Sequence, residues 1–182
     1  HFFLIPAVYV TLGIPAALIG RSWTSILTIY FGQVGQFRAF SMNAPNLYIF
    51  IPNSFYDIGL WIGLGIFLIA LATWGWVNWR AKIALTHRQM MLMALAVLTL
   101  VPFVLPKMHD RYFYSADVFS YAAVIFAPEM WFVPLLYQLI SGLAYSGFLM
   151  GTPIQAIMLA ALINTCAVTY VLRKQFLSLQ EG

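Results

Sequence analysis

Charged residues are scarce in this chain: of 182 residues only 8% are Asp, Glu, Lys or Arg, against about a quarter in ordinary globular proteins. Hydrophobic residues make up 63%. So apolar a composition excludes a soluble globular domain, a disordered chain, a collagen-like repeat and a nucleic-acid-binding protein. The net charge of +4 is explained more simply by basic loops on the cytoplasmic side of a membrane than by an anionic partner.

Cysteine and metal-ligating residues are also sparse. Cys166 is the one cysteine, and because it lies in an apolar run we interpret it as a packing residue rather than half of a disulfide. No second His or Cys lies near His109, so a metal site is not expected. Neither a nucleophile elbow nor a phosphate-binding glycine loop is present. The run behind His1 lacks the features of a signal peptide, and we expect a piece of a longer membrane protein.

Long uncharged runs are abundant, and about 20 apolar residues suffice for a helix to cross a hydrocarbon core of about 30 Å. Such runs cover residues 2–20, 58–79, 89–106 and, as two crossings with a break at Gly151-Thr152-Pro153, 130–172. The run 112–127 is shorter and contains Asp117, which makes it the least certain crossing. The sequence therefore predicts an all-α polytopic transmembrane bundle of about six spans in a single domain, 1–182.

The positions of Lys and Arg in short loops predict the orientation of the spans. Arg80, Lys82 and Arg88 place the loop 80–88 in the cytoplasm. The basic tail at Arg173 and Lys174 then also lies inside, provided that 112–127 crosses. Alternation along the chain puts 128–130 inside as well, and it puts outside the loops 21–56, 107–111 and 151–153.

The outer loop 21–56 is predicted to begin with an amphipathic helix at the membrane interface. Ser22 is a good N-cap, and the apolar residues that follow it are spaced by four and three, as on one helix face. These residues are Trp23, Leu27, Tyr30, Val34 and Phe37. Further on, Pro45 restricts Ala44 to an extended conformation in a turn-rich stretch. We expect this loop to pack down, either as a cap on the bundle or as a floor under a substrate.

Five ionisable residues gather at the outer boundary: Lys107, His109, Asp110, Arg111 and Asp117. Such groups are costly beside hydrocarbon unless they are paired or face a watery cavity, so they are candidates for function. On a helix Lys107 and Arg111 would share a face, and two cations beside a His can hold a phosphate. The alternative is internal neutralisation, Arg111 by Asp117 or Lys107 by Asp110. Both interpretations stay open at this point.

Two segments resemble motifs of bacterial integral-membrane glycosyltransferases related to the GPI-anchor mannosyltransferases. Residues 105–117, Leu-Pro-Lys-Met-His-Asp-Arg-Tyr-Phe-Tyr-Ser-Ala-Asp, resemble their P-x-M-H-E-R-Y-x-x-x-A-D segment. The stretch from Tyr30 to Gln33 and residues 43–48, Asn-Ala-Pro-Asn-Leu-Tyr, resemble their Y-x-x-Q and N-A-P-N-x-Y region. The resemblance covers about residues 4–173. Asp110 departs from the family pattern, in which Glu is usual. Aspartate keeps the negative charge, but its side chain is shorter by one methylene group.

The resemblance implies a GT-C fold enzyme that transfers a polyprenyl-phosphate-linked sugar, often mannose, on the outer face of a bacterial inner membrane or its equivalent. The lipid-linked sugar phosphate is then the substrate, with membrane lipid around it and no separate cofactor or metal. Carried over by position, the residues near the donor phosphate are Lys107, His109 and Arg111. Those that would orient them are Asp110, Tyr112 and Asp117. Those that would shape the outer cavity are Tyr30, Gln33, Asn43 and Asn46.

The catalytic carboxylate of these enzymes belongs to their first outer loop, and nothing in this chain matches that loop. The resemblance therefore implies a C-terminal part, inactive by itself, that needs an N-terminal part or other membrane subunits. The alternative is a non-enzymatic accessory or structural subunit of a larger membrane assembly, which predicts no vacant cavity near residue 109. A transporter fragment ranks last, because polar residues within the spans are few, Gln138 and Asn164 among them.

Overall fold

The computed structural model describes residues 3–29, 37–81 and 86–180. The α-helices in these ranges are α1 (Leu4–Leu18), α2 (Trp23–Leu27), α3 (Tyr56–Ala81), α4 (His87–Val104), α5 (Tyr114–Phe126), α6 (Val133–Met150) and α7 (Ile154–Ser178). Two short strands, β1 (Ser41–Met42) and β2 (Met108–His109), pair with each other. Short 3-10 helices cover Leu47–Phe50, Asn53–Phe55, Asp110–Phe113 and Pro128–Met130. The predicted all-α class is confirmed.

Four helical segments in the described ranges are long and apolar enough to cross a membrane: Asn53–Ala81, His87–Val104, Pro128–Met150 and Ile154–Ser178. They correspond to four of the six predicted spans. The other two candidates, α1 with 15 residues and α5 with 13, are helical as expected. Both are shorter than the about 20 residues that a crossing takes, so their crossing stays a prediction.

The chain divides into two compact units, His1–Arg38 and Ala39–Gly182. In the first unit α1 packs against α2, where Gly13 lies close to Trp23 and Ile26. The hydroxyl of Tyr9 on α1 donates to the carbonyl of Ile26 at 2.7 Å. An isolated helix as short as α2 is not stable in water, so this packing is what holds it.

Ser22 caps α2, as predicted: its side chain accepts a hydrogen bond from the amide of Ser25 at 3.3 Å. The continuation of the predicted amphipathic helix falls largely on residues 30–36. Tyr30 and Gln33, assigned to the outer cavity by the resemblance, therefore lie outside the described residues.

In the second unit α4, α5, α6 and α7 form a four-helix arrangement in which each helix packs against two neighbours. The side chains that fill its centre are mostly aliphatic, as the apolar faces of the four helices require. Among those with almost no exposure are Leu92, Leu95, Met130, Tyr137, Ile140 and Val171. Helix α3 packs along one side through Phe67, Ala70 and Trp74 and leaves most of its apolar surface exposed, as suits a helix in lipid.

The break between α6 and α7 is where the sequence predicts it. Gly151 adopts a left-handed conformation (φ 66°) and ends α6, and Pro153 precedes the first residue of α7. Glycine is favoured there because it has no side chain to clash, and proline is common one or two residues after a helix end because it cannot continue the helix.

One end of the second unit gathers the segments that are predicted to be cytoplasmic. Arg88 at the start of α4 forms an ion pair with Glu129 at 2.6 Å. The side-chain amide of Gln89 donates to the carbonyl of Ser178 at the end of α7, 2.8 Å away. These contacts place 86–89, 128–130 and the C-terminal part of α7 at the same end of the unit. Which side of a membrane this end faces stays a prediction.

Candidate functional site

The pairing of β1 with β2 brings together the two segments that carry the resemblance. The strands are parallel, with Ser41 opposite Met108 and Met42 opposite His109. Asn43, directly after β1, has a φ of 59°, and Lys107, directly before β2, has a φ of 64°. Such left-handed conformations are uncommon for residues other than glycine, and they persist only where the surrounding structure imposes them.

The charged segment is a strand followed by a 3-10 helix, not an α-helix. Leu105 ends α4 in an extended conformation (φ −83°, ψ 130°), as expected for the residue before a proline. The amide of Lys107 then donates to the carbonyl of Phe40 at 2.7 Å. The prediction that Lys107 and Arg111 share one helix face is therefore wrong. Their segment pairs with β1 and uses for that pairing the backbone groups that an α-helix would need.

A cavity of about 640 Å³ lies beside the paired strands. One wall is polar and is made by Asn43, His109, Asp110 and Arg111. The remaining lining residues are mostly apolar: Met42 of β1, and Tyr145, Phe148 and Leu149 near the end of α6. Phe148 and Leu149 are 80% and 71% exposed. The cavity thus combines a charged wall with an apolar one at the end of α6.

Arg111 is the cation at this cavity. Its amide donates to Oδ1 of Asp110 at 2.8 Å, which fixes the start of the 3-10 helix. Its exposed guanidinium forms no hydrogen bond or ion pair with another residue of the described ranges. The pair with Asp117 that would neutralise it is not formed there, nor is a pair of Lys107 with Asp110. The guanidinium therefore keeps its five donors for a ligand.

His109 is half-buried between the strand and the turn that follows it. Its ring meets that of Tyr112 edge to face, with centroids 5.9 Å apart. Tyr112 itself is 53% exposed and is absent from the cavity wall. The resemblance assigns Tyr112 an orienting part, and this ring contact is the geometry through which it would act on His109.

Lys107 lies apart from the cavity wall, although the resemblance places it near the donor phosphate. Its ammonium donates to the hydroxyl of Tyr56 at 2.6 Å and lies 5.2 Å from the centroid of the same ring. Both contacts tie β2 to the start of α3. Its phosphate-binding role stays a prediction that this geometry does not favour.

Asn46 is also placed differently from its expected position in the cavity. It is fully buried, and its Oδ1 accepts from the amide of Tyr48 at 3.1 Å, which caps the short helix that follows. The hydroxyl of Tyr48 donates in turn to the carbonyl of Val104 at 2.7 Å. Burial raises the pKa of this hydroxyl, which keeps it neutral and able to donate. Asn46 thus holds the loop on the bundle, whereas Asn43 faces the cavity.

Asp117 does not contact the cations that the resemblance has it orient. Only 5% of the residue is exposed, and its Oδ2 accepts from the hydroxyl of Ser141 at 2.7 Å. No hydrogen bond reaches its Oδ1 from the part of the chain that the structure describes. Asp117 lines a second groove, of about 430 Å³, between α5 and α6. Tyr145 lines this groove and the first cavity alike.

Several residues of these two sites do not stand out in the sequence. Phe148 and Leu149 carry no signal, because apolar residues are ordinary in a span. Ser141 and Tyr145 could have been found from Gln138, a polar residue in an apolar run, since they stand three and seven positions after it on the same helix face.

No family model, curated protein or solved structure matches this chain.

Proposed function

We propose that this chain is part of a membrane glycosyltransferase that uses a polyprenyl-phosphate-linked sugar, and that the cavity at His109 and Arg111 binds the donor phosphate. The proposal is supported by the two kinds of surface, one polar and one apolar, that line this cavity. Its polar wall holds a guanidinium with free donors, and its other wall is apolar and open at Phe148 and Leu149. An anionic lipid needs both surfaces at once.

The polar wall suits a phosphate on the leaving group of a transfer reaction. Arg111 can bind two phosphate oxygens side by side, and His109 lies next to it in the lining of the same cavity. Donors directed at the place where negative charge develops lower the barrier of such a reaction. Transfer also needs a base for the acceptor hydroxyl. The resemblance places that base in an outer loop that this chain does not match, so the chain would supply the leaving-group side.

The apolar wall suits the prenyl chain. Phe148 and Leu149 end α6 next to the cavity, and their exposed side chains continue into the apolar surface of the helix. A lipid whose phosphate lies at Arg111 can lay its first isoprene units on these side chains. Because the bilayer is as apolar as these side chains, the prenyl chain gains affinity here from van der Waals packing and not from removal from water.

The accessory-subunit alternative makes a different prediction for this region. It requires close contacts with other proteins and no vacant cavity near residue 109. The cavity beside His109 therefore favours the enzyme proposal over that alternative.

Binding of a polyprenyl phosphate to the purified chain in lipid nanodiscs tests the proposal. Replacement of Arg111 by Ala removes a charge-assisted contact of about 1.5–3 kcal/mol, so the affinity should fall roughly ten- to hundredfold. The matched control is Arg80→Ala, at the end of α3, where the guanidinium lies 4.8 Å from the Trp76 ring. The proposal fails if polyprenyl phosphate binds no better than the uncharged polyprenol, or if both variants lose the same affinity.

A further inference from the structure

The groove between α5 and α6 is built from one face of each helix. Its lining residues recur at intervals of three, four and seven on both helices, which is the spacing of a single helix face. They are Tyr114, Asp117, Val118 and Tyr121 on α5, and Gln138, Ser141, Gly142 and Tyr145 on α6. Because Tyr145 also lines the cavity at Arg111, the two spaces adjoin at this residue.

Two polar groups in this groove lack the surroundings that their chemistry requires. Only 5% of Asp117 is exposed, and its Oδ1 accepts no hydrogen bond from the described residues. Gln138 is exposed in a segment long and apolar enough to span a membrane. Buried polar atoms are nearly always satisfied, and each exception needs an explanation. A ligand with hydroxyl groups is an explanation that covers both residues.

Other occupants fit the groove less well. A prenyl chain would leave Oδ1 of Asp117 and the amide of Gln138 without partners against hydrocarbon. A divalent cation such as calcium takes about six to eight oxygen ligands, and among the described residues that line the groove Asp117 is the single carboxylate. A sugar ring suits the wall better, since its hydroxyls can donate to Asp117 and Gln138. Its apolar faces can pack on Tyr114 and Tyr121, which are 64% and 52% exposed.

We propose that the groove between α5 and α6 binds a sugar ring, with Asp117 and Gln138 as hydrogen-bond partners of its hydroxyls. If the sugar is lipid-linked, the groove proposal rests on the proposed function. The phosphate would then lie at Arg111, and the sugar ring would reach past Tyr145 into the groove. The ring can belong to the donor or to a sugar acceptor. The groove has the volume of a small-ligand site, which typically measures about 300–1,000 Å³.

Gly142 allows the groove to be blocked without disturbing the packing. A Cβ at this position meets no atom within 4 Å, so the side chain of Gly142→Leu would extend into the groove. The matched control is Gly65→Leu on α3, where a Cβ likewise meets nothing within 4 Å. Gln138→Leu removes the side-chain amide at an exposed position. Because no packing is lost there, weaker binding of this variant would not be explained by unfolding. Thermal unfolding of each variant checks that the fold is kept.

Three probes are compared for each variant in nanodiscs: a polyprenyl-phosphate hexose, the bare polyprenyl phosphate, and a soluble methyl hexopyranoside. If the ring of the donor occupies the groove, Gly142→Leu and Gln138→Leu weaken binding of the lipid-linked hexose by about tenfold or more. The affinity of each variant for bare polyprenyl phosphate should then stay within about threefold of the original value. A change this small is no more than the loss of one weak hydrogen bond. Gly65→Leu should change neither. If the two variants abolish binding of the methyl hexopyranoside alone, the groove holds an acceptor sugar, which also supports the proposal.

Three results would overturn the sugar site. In the first, Gly142→Leu changes binding of neither sugar-bearing probe while Arg111→Ala still weakens polyprenyl phosphate; the phosphate site then stands and the groove proposal fails alone. In the second, Gly142→Leu weakens both lipids equally, which would make the groove a channel for the prenyl chain. In the third, neither sugar-bearing probe binds the unaltered chain. Should polyprenyl phosphate alone fail to bind, the proposed function is lost, and the methyl hexopyranoside still decides on the groove.

Discussion

The side chain of Asn164, in the interior of α7, donates from Nδ2 to the carbonyl of Pro45 at 2.7 Å. Asn164 is fully buried, and so are the loop residues Ala44 and Asn46. The loop after β1 therefore enters the helix bundle with a backbone that is not helical. Such backbone is tolerated in the interior of a membrane protein only where protein covers it and satisfies its polar groups. Asn164 supplies one of those partners.

This contact bears on the two interpretations of the loop 21–56, as a cap on the bundle or as a floor under a substrate. Residues 44–46 act as a cap, because they are buried among the helices and bonded to α7. Asn43 next to them lines the cavity at Arg111. The described part of the loop thus closes the bundle and also forms one wall of the candidate site. Asn164 has a structural partner, so this polar residue within a predicted span does not support the transporter alternative.

Replacement of Asn164 by Leu should lower the stability of the protein. The carbonyl of Pro45 would lose its donor inside the bundle, which costs about 1–3 kcal/mol. Denaturant unfolding in detergent measures this. The matched control is Thr169→Ala on the same helix, an exposed position where the hydroxyl donates only to the carbonyl of Thr165. Equal stability of Asn164→Leu and the unaltered chain would show that this contact does not hold the loop.

Two glycines of α3 should respond in opposite ways to alanine. A Cβ at Gly59 would collide with the ring of Phe40, which is 1% exposed and stacked on Tyr48, so it cannot move aside cheaply. Overpacking of this kind costs about 1–3 kcal/mol. At Gly65 a Cβ meets nothing within 4 Å, and alanine should be neutral or gain up to about 1 kcal/mol from its higher helix propensity.

Thermal unfolding of Gly59→Ala and Gly65→Ala in the same detergent checks this pair. The two variants have the same change in composition on the same helix, so a difference between them reports the contact with Phe40. If both shift the midpoint in the same direction, the packing of the loop 39–55 against α3 is not as described.

Lys107→Met should act on stability rather than on lipid binding. The substitution removes the hydrogen bond from Lys107 to Tyr56, which is worth about 0.5–1.5 kcal/mol. Affinity for polyprenyl phosphate should stay within about threefold, since the ammonium points to Tyr56 and not to the cavity. Vesicle or nanodisc binding and thermal unfolding give the two readouts.

The control for this prediction is Tyr56→Phe, which removes the same hydrogen bond from the other side. The double variant should then lose less stability than the sum of the two single variants, because they share one interaction. A large loss of lipid affinity in Lys107→Met alone would return Lys107 to the phosphate site that the resemblance implies.

Residue patterns alone were enough to predict the helical class, the four long apolar helices and two helix boundaries, the start of α2 and the break between α6 and α7. These features are local. Hydropathy over about 20 residues indicates a span, Ser22 caps the helix that follows it, and Gly151 with Pro153 separates α6 from α7 because of their backbone preferences. The cluster around His109 could also be recognised as a candidate site, since charges at a membrane boundary are rare and costly.

Which of those side chains share a site depends on contacts between segments that are far apart in the chain. Pairing of β1 with β2 turned the charged segment into a strand and a 3-10 helix, so that Arg111 faces a cavity while Lys107 reaches Tyr56. Asp117 meets Ser141 and Asn164 meets Pro45 across long separations in the chain. Residue spacing reports only neighbours on one helix or strand, whereas these partners are set by how the helices and the loop pack together.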